Sequence, residues 1–322
     1  MRFLFVMDPM EGVSPDKDTT FAFQRAALSR GHVSLHALPG DIYIQDGDVF
    51  AKARVVEVSN EAPHFRLSPP IEVRLADVEG IFIRKDPPFD AAYLYLTQML
   101  EKVRGRTVIM NDPRGLRDAN EKLYTLHFPQ FMPRTLVTSD PDRIHAYVRT
   151  VGGKAVIKPL DGAGGSGVLM LTDGDKNARS IVDMLTKEGK TLAMVQEFLP
   201  AVVKGDKRVL LLDGEVLGAI NRVPRADDLR SNIHVGGSVE ACEVTKEEKA
   251  LVATIAPRLR ADGLIFVGLD LIGGKLTEVN VTSPTGIQEL SRHVGREVSD
   301  DVIAWIERHA DGLRPPLLSR PI

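Results

Sequence analysis

The apolar positions of this chain run in two periods, and the change between them outlines its organisation. Arg2 to Met7 is an apolar run rich in β-branched and aromatic residues, which predicts a buried first strand. A loop with Gly12, Pro15 and Asp18 follows. Thr19 or Thr20 is placed to cap a helix from about Phe21 to Ser29, closed by Gly31. Val33 to Leu38 and Val78 to Arg84 read as further strands, Tyr93 to Val103 as a helix and Thr107 to Met110 as a short strand. The β-loop-α-β order predicts a parallel, doubly wound N-terminal domain.

The pattern changes near residue 115. Leu116 to Phe128 reads as a helix, Thr135 to Thr138 as a strand, residues 141–151 as a helix and Lys154 to Pro159 as a strand. A glycine-rich segment, Asp161 to Gly167, precedes a strand over Val168 to Leu171, a helix over Ala178 to Lys187 and a strand over Leu192 to Phe198. Beyond Lys207, hairpins dominate. Arg208 to Leu212 and Glu215 to Asn221 flank an Asp213-Gly214 turn, and Leu264 to Ile272 pairs with Lys275 to Val281. Between them lie a polar loop, Pro224 to Gly237, and a helix over Lys246 to Asp262. Val298 to Arg308 reads as a terminal helix, and the proline-rich tail after Gly312 as frayed. The fold class is therefore α/β followed by α+β.

Composition narrows the classes. A chain of 322 residues implies two or three domains, and 43% apolar with 26% charged residues is ordinary for a soluble protein. A net charge of −3 gives no basic excess for nucleic acid. One cysteine, Cys242, excludes an internal disulfide and a cysteine-based zinc site. No stretch approaches the roughly 18 apolar residues of a membrane span, and Asp8 and Pro9 interrupt the apolar start too early for a secretory signal. The expected location is the cytoplasm, with no membrane partner.

Three segments carry chemistry. Asp161-Gly-Ala-Gly-Gly-Ser-Gly167 lets backbone N–H groups approach a phosphate, through Gly162, Gly164, Gly165 and Ser166. No Gly-Lys-Ser/Thr follows, so it is not a Walker loop. A strand rather than a helix follows, so it is not a dinucleotide fingerprint. What remains is a flap between antiparallel strands, or a plain glycine-rich hairpin loop. Lys158 lies three residues before it, within reach of a phosphate. Lys122 is a weaker candidate of the same kind.

The hairpin Gly268 to Asn280 is the most informative segment. A two-residue Gly273-Gly274 turn places Asp270 opposite Thr277. A three-residue loop, Gly273 to Lys275, places Asp270 opposite Glu278 and Ile272 opposite Leu276. Only the second separates an apolar face from one carrying Asp270, Glu278 and Asn280, and it is the register expected. Two facing carboxylates repel without a cation, and an oxygen-only set suits Mg²⁺ held jointly with phosphates. Arg208, at a strand start, and Arg230, in the polar loop, are cations able to stabilise a transferring phosphoryl group or clamp a carboxylate. Arg222 and Arg225 read as solvated charges. Arg84 ends an N-terminal strand, where charges often face a ligand crevice.

The order Lys122, Lys158, flap, Gln196-Glu197-Phe198-Leu199, Arg208, Asp270 and Glu278-Val-Asn280 resembles the ATP-grasp fold. More closely, the chain resembles the bacterial glutathione synthetases. Matching segments include Val6-Met-Asp-Pro9, Arg84-Lys-Asp-Pro-Pro-Phe-Asp90, Asn120-Glu-Lys-Leu123, Gly205-Asp-Lys-Arg-Val209 and Leu276-Thr-Glu-Val-Asn-Val-Thr-Ser-Pro-Thr285, spread from residue 6 to about 285. The resemblance implies three domains, over residues 1–120, 121–200 and 201–315. It implies ligation of γ-glutamylcysteine and glycine with ATP through an acyl phosphate. ATP would contact Lys122, Lys158, the flap, residues 196–199 and, at the ribose, Asp206. Asp270, Glu278 and Asn280 would hold Mg²⁺, with Mn²⁺ as a substitute. Arg208 would act catalytically with Lys158. Lys17, Arg84, Arg208, Arg230, Asn280 and Ser283 would touch substrate. A homotetramer is also implied. Glu197 stands where a relative has an amide, and residues 225–235 carry fewer glycines than the pattern. Another ATP-grasp carboxylate–amine ligase is the main alternative. A non-catalytic ATP-binding regulator would be expected to lose part of the metal cluster, which here is whole.

Overall fold

A computed structural model describes residues 1–162, 164–224 and 238–313. The chain forms two compact units. The first comprises Met1–Asp118, Arg258–Phe266 and the chain from Thr282 onward, and the second Ala119–Pro257 and Val267–Val281.

The first unit is built on a mixed sheet. Its centre is β1 (Arg2–Met7), parallel to β2 (Val33–Ala37) on one side and to β7 (Gly80–Arg84) on the other, with β8 (Val108–Met110) parallel to β7. Phe3, Phe5, Phe23 and Phe82 are buried together, with Phe5 and Phe82 stacked at 4.6 Å. The parallel order matches expectation. The antiparallel extension beyond β2 does not appear in the sequence reading. It consists of β3 (Ile42–Gln45), β4 (Asp48–Val58), β5 (Phe65–Leu67) and β6 (Ile71–Arg74). Asp46 and Gly47, both at positive φ, make the β3–β4 turn.

The helix Thr19–Ser29 is capped by Asp18, whose Oδ1 accepts from the Phe21 N–H at 2.7 Å, and not by the buried Thr19 or Thr20. The helices Ile287–Val294 and Ser299–Leu313 belong to this unit. The first was not read from sequence, and the second runs past the expected Arg308. The tail expected to fray falls mainly on residues 314–322, outside the described residues.

The helix expected over Leu116 to Phe128 is broken. Pro113–Asp118 is helical and Leu123–His127 is a 3-10 turn. Asn120 causes the break, because its Oδ1 accepts from the N–H groups of Lys122 and Leu123 at 3.1 and 3.0 Å.

The second unit holds two antiparallel sheets. One has the order β11 (Leu169–Thr172), β10 (Lys154–Pro159), β12 (Ala193–Glu197), β9 (Thr135–Thr138). The helices Pro141–Thr150 and Ala178–Thr186 bury Ile144, Val148 and Val182 against its Ile157, Leu171 and Val195. The other sheet has the order β15 (Ser238–Cys242), β14 (Glu215–Val223), β13 (Asp206–Leu212), β16 (Phe266–Ile272), β17 (Lys275–Asn280). β15 was not anticipated.

Candidate active site

The glycine-rich segment joins β10 to β11, which run antiparallel with Ile157 opposite Leu169, as the flap reading requires. Gly164, Gly165 and Gly167 all have positive φ, where a side chain would strain the backbone. A Cβ on Gly162 would come within 2.7 Å of the Pro159 ring.

Both candidate lysines converge beside this flap. Lys122 is 5% exposed and lies 3.1 Å from Glu278, while its Nζ also donates to the Gly162 carbonyl. Lys158 is buried and donates to the Thr277 carbonyl at 3.1 Å. Burial pushes its ammonium down from the usual lysine range, and Glu278 partly offsets that.

The β16–β17 hairpin puts Asp270 opposite Glu278, Leu269 opposite Val279 and Gly268 opposite Asn280. The expected pairing of the carboxylates is present, but the expected loop is not. The turn has two residues, Gly273 and Gly274 at φ 57° and 76°, so Ile272 faces Lys275 and not Leu276. The register then shifts between Asp270 and Leu271. Thr277 is the extra residue of this bulge, and its Oγ1 donates to the Asp270 carbonyl at 3.1 Å.

Cations flank both carboxylates. Arg208 binds Asp270 with two parallel bonds of 2.8 Å. Arg222 bridges Asp206 at 2.6 Å and Asp270 at 2.9 Å. All four residues are buried. Burial raises Asp270, but Arg208 and Arg222 outweigh it and hold the carboxyl well below the carboxylate range. Burial dominates at Asp206 and pushes it up to about 6, against the pull of Arg222.

Arg222 therefore corrects the reading of a solvated charge. It is 2% exposed, because Asp206 lies directly across β13–β14 from it. That cross-strand Asp–Arg pair was the signal available in the sequence. Asp206, expected at a ribose, accepts from Arg222 on Oδ2.

Asp270, Glu278 and Asn280 supply only hard oxygen donors. Asn280 donates its amide N–H to the Gly268 carbonyl at 3.2 Å, which fixes the orientation of its side chain. An anionic Asp270, a partly exposed Glu278 and this amide fit a divalent cation that completes its shell with phosphate and water.

Gln196 donates to Thr135 Oγ1 at 3.1 Å. Glu197 accepts the Arg134 N–H at 3.0 Å on Oε1, and its own N–H bonds the Arg134 carbonyl at 3.0 Å. One of its carboxylate oxygens is thus held by backbone, and Phe198 and Leu199 follow the end of β12.

In the first unit, Arg84 is buried and donates to Thr20 Oγ1 at 3.1 Å and to the Pro284 carbonyl at 3.0 Å, one residue beyond Ser283. Lys17 is exposed. Arg230 and Arg225 lie outside the described residues. The second unit therefore gathers Lys122, Lys158, the flap, Arg208, Asp270, Glu278 and Asn280, while Lys17, Arg84 and Ser283 belong to the first.

Among solved structures, the D-cycloserine synthetase DcsG is similar at TM-score 0.66 with 14% identity, covering 97% of this chain and 100% of that one. A RimK domain ATP-grasp protein from Sphaerobacter thermophilus is similar at TM-score 0.62 with 17% identity, covering 95% of this chain and 100% of that one. The fold is thus that of the ATP-grasp ligases. In sequence, the glutathione synthetase of Synechocystis sp. is 42% identical over 319 residues, 96% of this chain and 99% of the relative. That of Mesorhizobium japonicum is 41% identical over 300 residues, 93% of this chain and 96% of the relative. The signature of the prokaryotic glutathione synthetase N-terminal domain matches residues 1–117, and that of the prokaryotic glutathione synthetase ATP-grasp domain matches residues 121–295. The chain belongs to the prokaryotic glutathione synthetase family.

Proposed function

We infer that this chain ligates γ-glutamylcysteine to glycine at the expense of ATP, giving glutathione, ADP and phosphate. Kinship over nearly its whole length with glutathione synthetases supports the reaction. The convergence of two buried lysines and the Asp270–Glu278 hairpin on the glycine flap supports the residue roles.

In this reading the flap amides and Lys122 and Lys158 hold the ATP phosphates, and the backbone of residues 196–199 meets the adenine. Asp270, Glu278 and Asn280 would hold the divalent cation, Mg²⁺ or in its place Mn²⁺, since every donor is a hard oxygen. The bound ion supplies charge neutralisation on the phosphates.

The cysteinyl carboxylate of γ-glutamylcysteine attacks the γ-phosphorus. A carboxyl O–P bond forms and the bond to ADP breaks. Lys158 and Arg208 offset the charge on the moving phosphoryl group, with Arg208 fixed in plane by Asp270. The glycine amine then attacks the acyl carbon, loses its proton and expels phosphate. Arg84, Ser283, Lys17 and Arg230 contact the dipeptide. No side-chain nucleophile is needed, because the substrate carboxylate fills that role.

Three domains over residues 1–120, 121–200 and 201–315, a homotetramer and a cytoplasmic location belong to the same reading. No helix among the described residues is long and apolar enough to cross a membrane.

The test is ADP release with γ-glutamylcysteine plus glycine, against D-alanine or other amino acids as paired substrates. ADP release that depends on both γ-glutamylcysteine and glycine is expected. Release that depends instead on another carboxylate–amine pair would replace this reading with a different ATP-grasp ligase.

A further inference from the structure

β17 is the edge strand of its five-stranded sheet, so among the described residues no strand pairs with its outer row of backbone groups. That row is nonetheless occupied. The Thr277 carbonyl accepts from Lys158 at 3.1 Å, the Val279 N–H donates to the Glu121 carbonyl at 2.9 Å, and the Val281 N–H donates to Glu121 Oε1 at 2.8 Å. Residues 277, 279 and 281 alternate with Glu278 and Asn280. Both of these oxygen ligands therefore sit between backbone groups that are held from outside the sheet.

Glu121 stands in for a neighbouring strand with a single residue. Its main chain takes one N–H, and its half-buried side chain takes the next one, two residues further on. Two bonds spaced in this way fix both the position and the twist of the segment, which one bond alone would leave free to turn. The bond from Val281 ends on a carboxylate, which makes it the stronger kind.

The neighbours of Glu121 reach toward the flap. Asn120 Nδ2 donates to the Leu160 carbonyl at 3.0 Å, and Lys122 Nζ donates to the Gly162 carbonyl while lying 3.1 Å from Glu278. Three consecutive residues thus tie the start of the flap to the hairpin that carries Asp270 and Glu278. Of the three, only Lys122 has a role in the mechanism above.

We propose that Glu121 is a positioning residue for the divalent cation, holding the outer edge of β17 so that Glu278 and Asn280 present their oxygens together with Asp270. The role rests on the reading of those three residues as the cation's ligands and adds the contact that orients two of them. Outer contacts of this kind set metal affinity by keeping the ligands from turning away.

The experiment measures, by calorimetry, the affinity of the full chain for the non-hydrolysable ATP analogue AMPPNP, once with Mn²⁺ and once with the metal chelated. The gain in affinity on adding Mn²⁺ is the readout. Glu121→Asp keeps the charge but draws the carboxylate back by one methylene, away from Val281. Its gain is expected to fall about tenfold below that of the wild type, with the metal-free affinity unchanged. Glu121→Gln removes the charge but keeps an oxygen acceptor at the same reach, and is expected to retain the wild-type gain. Melting temperatures of both variants are measured alongside. A Glu121→Asp protein that melts earlier yet keeps the full gain overturns the proposal, because Glu121 is then a structural tie alone. A Glu121→Gln protein that loses as much as Glu121→Asp also overturns it, because charge and not hydrogen-bond geometry then governs the site. A wild-type gain that Glu278→Gln leaves intact would instead overturn the assignment of the cation's ligands.

Discussion

Asp270 and Glu278 face each other across a hairpin whose two-glycine turn would, on its own, pair Asp270 with Thr277. The bulge at Thr277 shifts the register by one and brings the carboxylates together. It also gives Lys158 a backbone carbonyl to bind. Glu278→Gln keeps the shape of this face but removes the charge that Lys122 and a divalent cation would share. The Mg²⁺ concentration giving half-maximal ADP release is expected to rise at least about tenfold, which a metal titration at saturating substrates measures.

Arg208→Ala takes away the guanidinium that braces Asp270 and that, in the proposed mechanism, faces the transferring group. Turnover is expected to fall on the order of a hundredfold or more, with ATP affinity changed far less. Steady-state kinetics beside equilibrium ATP binding separates the two. Unchanged turnover removes Arg208 from the mechanism.

Arg222→Ala strands Asp206 and Asp270 as buried carboxylates facing Arg208 alone. Breaking such a group is expected to cost about 3–5 kcal/mol. Urea unfolding followed by circular dichroism checks it, and a loss under about 1 kcal/mol would mean that water enters and solvates the pair.

The same group sets a pH dependence. Asp206 is raised to about 6 from 3.8 in the folded protein. Between those values the folded state holds its proton more tightly, so this residue's contribution to stability falls as pH rises, and its cost is complete above about 6. Asp270 is depressed and acts in the opposite sense. Its contribution is complete above its ordinary value of 3.8 and is lost only as pH falls below it. Asp206→Asn should therefore gain stability relative to wild type from pH 4 to pH 6, by on the order of 2–3 kcal/mol. Melting curves of both proteins across that range decide it. A flat difference contradicts the raised carboxyl.

In the first unit, Asn111 mimics a missing strand residue. Its Oδ1 accepts from the N–H groups of Ile265 and Phe266, each at 2.8 Å, and its Nδ2 donates to the Phe266 carbonyl at 2.9 Å. Asn111→Ala leaves those backbone groups without this partner and is expected to cost roughly 2–4 kcal/mol, with Asn111→Asp recovering part of it. Denaturant midpoints for the two variants test the order.

The parts of this molecule legible in the sequence are those governed by local periodicity. β1, β7, the helix Ala178–Thr186 and the hairpins around Gly214 and Gly273 follow from apolar spacing and turn residues. The β3–β6 extension escaped because β3, β5 and β6 have only three or four residues each, although β4 alternates buried and less buried positions over much of its 11. The helix Ile287–Val294 escaped because at eight residues it gives its apolar period, Ile287, Leu290 and Val294, barely two turns in which to show. At the candidate site, the carboxylate pairing was legible from the separation of faces, but the bulge that produces it was not. Arg222 was missed because its charge reads as solvated until β13 and β14 are paired.

The first unit is assembled from three stretches of chain, with the second unit supplied between them. Its parallel core begins at residue 2, yet Asn111 finds its backbone partners only at residues 265 and 266, and Gln288 and Asp18 are 270 residues apart. Such contacts close large loops and are slow to form. During synthesis, the leading 118 residues must therefore wait for segments made more than 100 residues later. A growing chain holds β1 with β2 and β7 before the late helices Ile287–Val294 and Ser299–Leu313 that pack on this core are made, and in that interval its uncovered apolar surface is open to aggregation.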